Sequence, residues 1–223
     1  MPYLYLVRHA QPDFTGHYDS VTQLGLQQSA WLGEHFAACG LRFSRVISGS
    51  LQRQRHTLET MLGCLPEAPP VITDPRFNEY DAASVLGAFE LGDERAIRAS
   101  GDRARYFTAL RHALRAWSRQ DEAVPGGESW AQFGARIEAG VADACDGLDR
   151  DAKVLVVTSG GVIGRAVAGV LRAGADAAIQ LNLQTRNTGV SEIARGRTAT
   201  RLVAFNAVPH LERTDRAHAV TRS

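Results

Sequence analysis

The residues best placed to carry out chemistry are Arg8 and His9, which stand side by side directly after an apolar run from residue 3 to residue 7. Arg53 follows a second apolar run farther along the chain. A planar guanidinium matches phosphate oxygens in pairs and stays charged at working pH, so two arginines suit a dianionic phosphoryl group. A neutral imidazole beside them has a lone pair that can attack phosphorus. The three residues predict a phosphoryl site that needs no metal ion.

Three strand–turn–helix units are predicted to position these residues. Residues 2–7 and 43–47 read as strands, and Ser48-Gly49-Ser50 then leads into a helix over 51–62, with serine hydroxyls available to cap it. Residues 153–158 form a third strand, followed by the turn Ser159-Gly160-Gly161 and a helix over 162–171. Such repetition predicts an α/β fold, a three-layer αβα sandwich with a mostly parallel central sheet. Chemistry in such folds lies where the strands end.

The rest of the chain predicts one domain, residues 1–223. Apolar spacing and turn signals predict further elements: helices over 23–38, 104–118 and 129–148, and strands over 71–72, 187–193 and 200–205, the last two around a turn at Arg195-Gly196. The segment 214–223 is polar and is expected to be a frayed tail.

Composition limits the class of protein. The chain has 223 residues, 44% hydrophobic and 22% charged, with a net charge of +1, as in a soluble globular protein. A near-neutral balance argues against a nucleic-acid or membrane-surface binder, so any anion site is local. The three cysteines show no metal or redox spacing. We see no signal peptide and expect a cytoplasmic protein with a small phosphorylated substrate. The oligomeric state stays open, a dimer included.

Several segments resemble the histidine phosphatase superfamily, whose fold is phosphoglycerate mutase-like. Residues 4–10 are similar to its Arg-His-Gly signature, with Ala10 in the glycine position, and residues 48–57 to its Leu-x-Arg motif, which selects Arg53 rather than Arg55. Three more groups fit along residues 2–211: Thr22, Gly25 and Gln28 in the first helix, Phe77-Asn78-Glu79 around an acidic residue, and Pro125-Gly126-Gly127-Glu128-Ser129, a loop of the phosphatase branch.

The resemblance implies a two-step transfer with no cofactor. His9 would take the phosphoryl group as a phosphohistidine, and water would then remove it. Glu79 would act as general acid and then as general base, which requires a suitably adjusted pKa. Arg8 and Arg53 would hold the phosphoryl oxygens. Four further residues are implied at the substrate site: Gln11, Thr15, Ser159 and Gly160.

Ser159 is a departure from the resemblance, because family members usually carry a second histidine in this turn. A hydroxyl can donate one hydrogen bond but cannot carry positive charge. Losing one such donor costs about 3–4 kcal/mol of transition-state stabilisation, so reduced activity is expected. His56 lies three residues after Arg53, and on a helix it could share the same face and partly replace the missing imidazole.

Alternative functions remain open. A phosphatase is favoured over a mutase because residues 11–15 lack the Glu-Ser-x-Trp-Asn continuation of cofactor-dependent phosphoglycerate mutases. Ser159 favours a phosphate-binding pseudoenzyme, whereas the retained His9 and Glu79 argue against one. Residues 159–164 lack the glycine spacing, the Walker lysine and the serine elbow of nucleotide-binding proteins and serine hydrolases. Specificity is expected from residues 80–128, which suggest no particular substrate.

Overall fold

A computed structural model describes residues 1–196 and 199–222. Within them, one mixed sheet has the strand order β3-β2-β4-β1-β5-β6. The strands are β1 (Tyr3–Arg8), β2 (Arg45–Ser48), β3 (Val71–Thr73), β4 (Lys153–Thr158), β5 (Val190–Arg195) and β6 (Thr200–Ala207). The first four strands run parallel, and β5 and β6 pair antiparallel at one edge. The predicted α/β fold with a mostly parallel sheet is confirmed.

Helices connect the parallel strands and cover both faces of the sheet. They are α1 (Gln23–Ala38), α2 (Gln52–Leu62), α3 (Ala82–Ala88), α4 (Glu94–Ala99), α5 (Arg103–Trp117), α6 (Trp130–Cys145), α7 (Gly160–Val170) and α8 (Ala175–Gln184). The sequence did not predict α3, α4 or α8. The first two have 7 and 6 residues, which is too short for an apolar period to show. Among the described residues, no helix is long and apolar enough to cross a membrane.

Alternate residues of the central strands point to two separate cores. Tyr5 and Val7 of β1 share a buried cluster with Leu32 and Phe36 of α1. Leu4 and Leu6 instead belong to a larger cluster with side chains of α5, α6 and α7: Trp117, Phe133, Ile137, Val162 and Ile163. Because neighbouring strand residues face opposite sides, one short strand serves both helical layers.

The helix caps differ in one respect from the prediction. Ser129 caps α6 by accepting from the Gln132 N–H at 3.1 Å, as its position at the loop end suggests. The serines before α2 do not cap it, because Ser48 Oγ donates to Gly49 O and Ser50 Oγ accepts from Asn78 Nδ2. The carboxylate of Asp19 takes over that role, as described below.

The segment 214–222 is docked, not frayed as expected. Residues 214–219 form a 3₁₀ turn, and Ala219 is fully buried. Gln28, itself fully buried, donates from Nε2 to Ala219 O at 2.7 Å and to Thr221 Oγ1 at 2.9 Å. The polar residues of this segment therefore find partners inside the protein, which composition alone could not reveal. Ser223 lies outside the described residues.

Candidate active site

His9 lies where two parallel strands end together. Arg8, the last residue of β1, is in register with Thr158, the last residue of β4. The His9 N–H donates to Thr158 O at 2.8 Å, so His9 and Ser159 leave the sheet side by side. The imidazole is 1% exposed, and the ring of Tyr18 stands edge-on to it with centroids 6.4 Å apart. The nucleophile predicted from sequence is thus enclosed beneath an aromatic side chain.

The hydrogen bonds of His9 determine its tautomer. Its Nδ1 lies 2.8 Å from Ala10 O, and because a carbonyl oxygen only accepts, Nδ1 carries the proton. Nε2 then keeps an unprotonated lone pair. Burial lowers the pKa of His9 well below its usual value, and the charges of Arg53 and Arg8 lower it further. His9 is therefore neutral, as a nitrogen nucleophile must be.

The backbone around His9 is held by side chains from distant parts of the chain. Asn187 donates from Nδ2 to His9 O at 3.1 Å. The N–H of Ala10 donates to Thr57 Oγ1 at 2.9 Å, and that hydroxyl donates to Arg53 O at 2.7 Å. The Leu-x-Arg helix thus supports the backbone next to His9 as well as supplying an arginine.

Gln28 supports the backbone at Gln11, the residue after Ala10. Its Oε1 accepts from the Gln11 N–H at 2.9 Å, while its Nε2 holds the segment 214–222. The Gln11 side chain accepts from Thr22 Oγ1 at 2.7 Å. Residues from the first-helix motif therefore support the loop after His9 from behind.

Arg8 and Arg53 are both buried and both line a cavity of about 430 Å³ at this edge of the sheet. Arg8 Nη1 donates to Thr185 O at 2.6 Å. Arg53 Nη1 donates to Asp19 Oδ1 at 2.8 Å, and the same carboxylate accepts from the N–H groups of Gln52 and Arg53 at 3.0 and 3.3 Å. The Asp19 carboxylate therefore accepts hydrogen bonds from Arg53 and from the N-terminus of α2, as an anionic ligand would. Asp19 was not predicted from the sequence.

Glu79 lies at the same cavity, half-buried. Its Oε2 accepts from the Gly161 N–H at 2.9 Å. Burial raises the pKa of Glu79, whereas that hydrogen bond and the charges of Arg53 and Arg8 oppose the rise. A Cβ at residue 161 would lie 2.2 Å from Glu79 Oε1 and 2.5 Å from Tyr80 Cε1, so a larger residue there would displace both side chains. The carboxyl group has the elevated pKa that a general acid requires.

An ion pair supports the chain segment that carries Glu79. Arg136 pairs with Glu128 at 2.6 Å and donates from Nη1 to the carbonyls of Arg76 and Asn78 at 2.7 and 2.8 Å. The loop containing Glu128 was singled out by resemblance alone. Its contacts show that it anchors the segment before Glu79 through Arg136.

Ser159 lies next to His9 but faces the interior. It is fully buried, and its Oγ accepts from Gln54 Nε2 at 2.9 Å. Gln54 also donates to Phe77 O at 3.0 Å, so Ser159 belongs to a buried polar cluster. Among the residues proposed from sequence, Arg8, Arg53 and Glu79 line the cavity. His9 lies buried directly behind it, next to Arg8 in the chain, and is not a lining residue; neither are Ser159, Gly160, Gln11, Thr15 and His56.

The remaining cavity wall comes mainly from the region in which specificity was expected. This part was not identified residue by residue, because it contains no motif. Its principal members are Tyr18, Asp19, Tyr80, Asp81, Glu94, Arg98, Tyr106, Phe107, Leu110 and Leu183. The wall combines aromatic, aliphatic and charged side chains, which gives the cavity both flat apolar surface and fixed charges.

Sequence and structure comparisons agree on the kind of protein. Residues 4–208 match the family described as the histidine phosphatase superfamily (branch 1). A 2,3-bisphosphoglycerate-dependent phosphoglycerate mutase of Rhizobium johnstonii is 30% identical over 193 residues, which cover 82% of this chain and 85% of that protein.

Solved structures with a similar fold include YhfR of Bacillus stearothermophilus, with a TM-score of 0.72 and 22% identity over 95% of this chain and all of that one. A mycobacterial glucosyl-3-phosphoglycerate phosphatase superimposes with a TM-score of 0.64 and 22% identity, covering 92% of this chain and 98% of the other. The similar proteins thus include both a mutase and a phosphatase.

Proposed function

Because the chain belongs to branch 1 of the histidine phosphatase superfamily, we propose that it is a phosphomonoester phosphatase acting through a phosphohistidine on His9. The observation that carries the proposal is the neutral imidazole of His9, with an unprotonated Nε2, beside Arg8 and Arg53. Two arginines supply the positive charge that a loose phosphoryl transition state requires.

In the first step, Nε2 of His9 attacks phosphorus and the bond to the ester oxygen breaks. Glu79, protonated at that moment, gives its proton to the leaving alkoxide. Its raised pKa favours the protonated form that this step needs.

In the second step, the Glu79 carboxylate takes a proton from water while the water oxygen attacks phosphorus. The phosphorus–nitrogen bond breaks, inorganic phosphate leaves, and His9 and Glu79 return to their starting forms. Neither step requires a divalent metal, so activity should survive a chelator.

Hydrolysis is favoured over mutase activity by the mouth of the cavity. Two exposed polar residues, His17 and Asp81, lie among its lining residues, which gives water access to a phosphohistidine. A mutase must exclude water while its substrate turns over. The loop after His9 also lacks the mutase continuation noted above.

The rate is expected to be low for the family. Ser159 contributes no charge, and its hydroxyl accepts from Gln54 inside the protein. The lack of a charged side chain at residue 159 also supports the competing proposal, a protein that binds a phosphorylated ligand without hydrolysing it.

Trapping experiments separate these functions. The protein would be incubated with a ³²P-labelled phosphomonoester and quenched, and acid-labile label would be sought on His9 alongside release of inorganic phosphate. His9→Ala should lose both signals, whereas His112→Ala, an exposed histidine on α5, should keep them.

Two results would count against a phosphatase, and a third would count against the metal-free mechanism. Conversion of 3-phosphoglycerate to 2-phosphoglycerate faster than phosphate release would indicate a mutase. Saturable ligand binding without label on His9 would indicate a binding protein. Activity that disappears with chelator and returns with magnesium would contradict the metal-free mechanism.

A further inference from the structure

We propose that the cavity selects phosphomonoesters whose leaving group is uncharged and apolar, and that Glu94 enforces this selection by occupying Arg98. The inference rests on the proposed function and names the substrate class of the same site. It depends on the cavity wall beyond Arg8 and Arg53.

Arg98 is the remaining arginine among the described residues that line this cavity. Its side chain is buried, and its guanidinium carbon lies 3.3 Å from the centroid of the Tyr18 ring and 5.0 Å from that of Tyr106. Stacking on two aromatic faces holds the cation in place at the cavity wall. Alone, it would attract a second anionic group on a substrate.

Glu94 prevents that role. Arg98 Nη2 donates to Glu94 Oε1 and to the Tyr106 hydroxyl, the latter at 3.0 Å. The Tyr106 hydroxyl is also 3.2 Å from Glu94 Oε1. The side chains of Arg98 and Glu94 are only 10% and 18% exposed. Because separating a buried pair leaves two desolvated charges, a substrate carboxylate cannot easily replace Glu94.

The charge balance of the wall opposes a second anion. Besides Arg8, Arg53 and Glu79, the lining carries Arg98 and three carboxylates, those of Asp19, Asp81 and Glu94. Asp19 pairs with Arg53, and Glu94 pairs with Arg98. Once a phosphoryl group engages Arg8 and Arg53, the rest of these charged lining residues count one positive charge against three negative ones, which is net negative. A carboxylate or second phosphate on the substrate would be repelled there.

Apolar surface makes up the rest of the wall. Phe107, Leu110 and Leu183 line the cavity together with the rings of Tyr18 and Tyr106. Flat aromatic surfaces stabilise a bound ring by burial and edge or face contacts. A volume of about 430 Å³ is at the small end of ordinary ligand sites. It suits a phosphate ester of a small aromatic or aliphatic alcohol.

Matched substrates test the selection in the wild-type protein. Glycerol 3-phosphate and 3-phosphoglycerate share a carbon skeleton and differ at one carboxylate, and benzyl phosphate offers a ring on an alcohol of similar acidity. We expect kcat/KM to be highest for benzyl phosphate and about tenfold or more lower for 3-phosphoglycerate than for glycerol 3-phosphate. A wild-type preference for 3-phosphoglycerate over glycerol 3-phosphate would overturn the proposal.

Glu94→Gln tests the part played by Arg98. Removing the carboxylate charge should raise kcat/KM for 3-phosphoglycerate about tenfold relative to glycerol 3-phosphate. Adding Arg98→Gln should abolish the gain. Asp81→Asn is the matched control, since it removes the same charge from the wall without touching Arg98 and should give a clearly smaller gain. Equal gains in Glu94→Gln and Asp81→Asn would refute the role of Arg98.

Failure of this inference can be distinguished from failure of the proposed function. If the wild-type protein does not label at His9, calorimetric binding of the same three compounds to wild type and Glu94→Gln still ranks them. Weaker binding of 3-phosphoglycerate, relieved by Glu94→Gln, would support the selection without turnover. Equal binding of all three compounds would overturn the proposed selection. If Glu94→Gln does not fold, the ranking of the three compounds by the wild-type protein decides between these outcomes.

Discussion

At the scale of single residues, the pKa values of His9 and Glu79 shift in opposite directions for the same reason. Burial disfavours the charged form of each group, so it lowers the pKa of the imidazole and raises that of the carboxyl. One enclosed site thereby favours a neutral imidazole on His9 and the protonated form of the Glu79 carboxyl.

Glu79→Gln should separate activity from stability. A group whose folded pKa is raised stabilises the fold below its unfolded pKa and loses that contribution as pH rises through the folded value. At pH 7 the ionised Glu79 is therefore a cost, and the neutral amide should raise Tm by about 2–4 °C. Turnover should fall about 100-fold or more, since no acid remains. A lower Tm with retained turnover would refute both roles.

Ser159 provides a second test of chemistry at one position. Because its Oγ accepts from Gln54 away from the cavity, Ser159→Ala should reduce the free energy of unfolding by about 1 kcal/mol and change kcat little. Ser159→His should raise kcat by about tenfold, since an imidazole adds a charge-assisted donor at the strand end. Urea unfolding and phosphate-release assays measure the two effects. A large loss of kcat in Ser159→Ala would show that the hydroxyl acts on the phosphoryl group.

The sequence allowed some of these residues to be predicted and not others. Arg8, His9 and Arg53 were predicted because each follows an apolar strand-like run and because their side chains share one ligand chemistry. Asp19 and Arg98 were missed because they act through contacts across the chain, with Arg53 and with Tyr18. Residue spacing along the sequence does not indicate contacts between such distant segments.

At the scale of elements, long helices and central strands could be predicted, whereas short helices could not. The range predicted for α1 agrees with Gln23–Ala38, and that for β4 with Lys153–Thr158. The unpredicted α3 and α4 lie in the region that forms much of the cavity wall. Their form depends on Asp81 and Asp93, which accept from the first N–H groups of these helices, and on packing more than on apolar period.

Arg136 links an element of the fold to the acid. Arg136→Ala should free the carbonyls of Arg76 and Asn78 and loosen the segment that carries Glu79. We expect kcat to fall about tenfold while KM changes little, because positioning of the acid matters in the transition state. Arg111→Ala, an exposed arginine on α5, is the control and should keep wild-type kcat. Unchanged kcat in Arg136→Ala would show that Glu79 is positioned without this support.

At the scale of the whole molecule, acid sensitivity should come partly from His210, which does not line the cavity. Its Nε2 lies 2.8 Å from Thr188 Oγ1, and that hydroxyl donates to Asn187 O, so Nε2 carries the proton. Burial, followed by the charges of His35 and Arg216, lowers the pKa of His210 to about 3. Its stabilising contribution is present above the unfolded pKa and is lost as pH falls toward the folded one.

We therefore expect the free energy of unfolding to decrease by about 1.4 kcal/mol per pH unit below pH ~6.5 from His210 alone, with His9 acting in the same direction. His210→Gln should reduce that slope in urea titrations. His17→Gln, at an exposed position, should leave it unchanged. Identical slopes in His210→Gln and wild type would show that His210 is protonated in the folded protein.

The docking of residues 214–222 has a consequence for the order in which the protein is made. Translation proceeds at about 5–20 residues per second, so residue 9 leaves the ribosome some 10–40 s before residue 221 is added. Until then the amide of Gln28 lacks Ala219 O and Thr221 Oγ1, and Asn187, which holds His9 O, lacks Thr221 as partner. His9 is thus synthesised about 200 residues before the groups that complete its surroundings. Because β1 and β2 both pair with β4, the sheet itself must wait for residues 153–158, and the surroundings of His9 wait for the segment 214–222 after it.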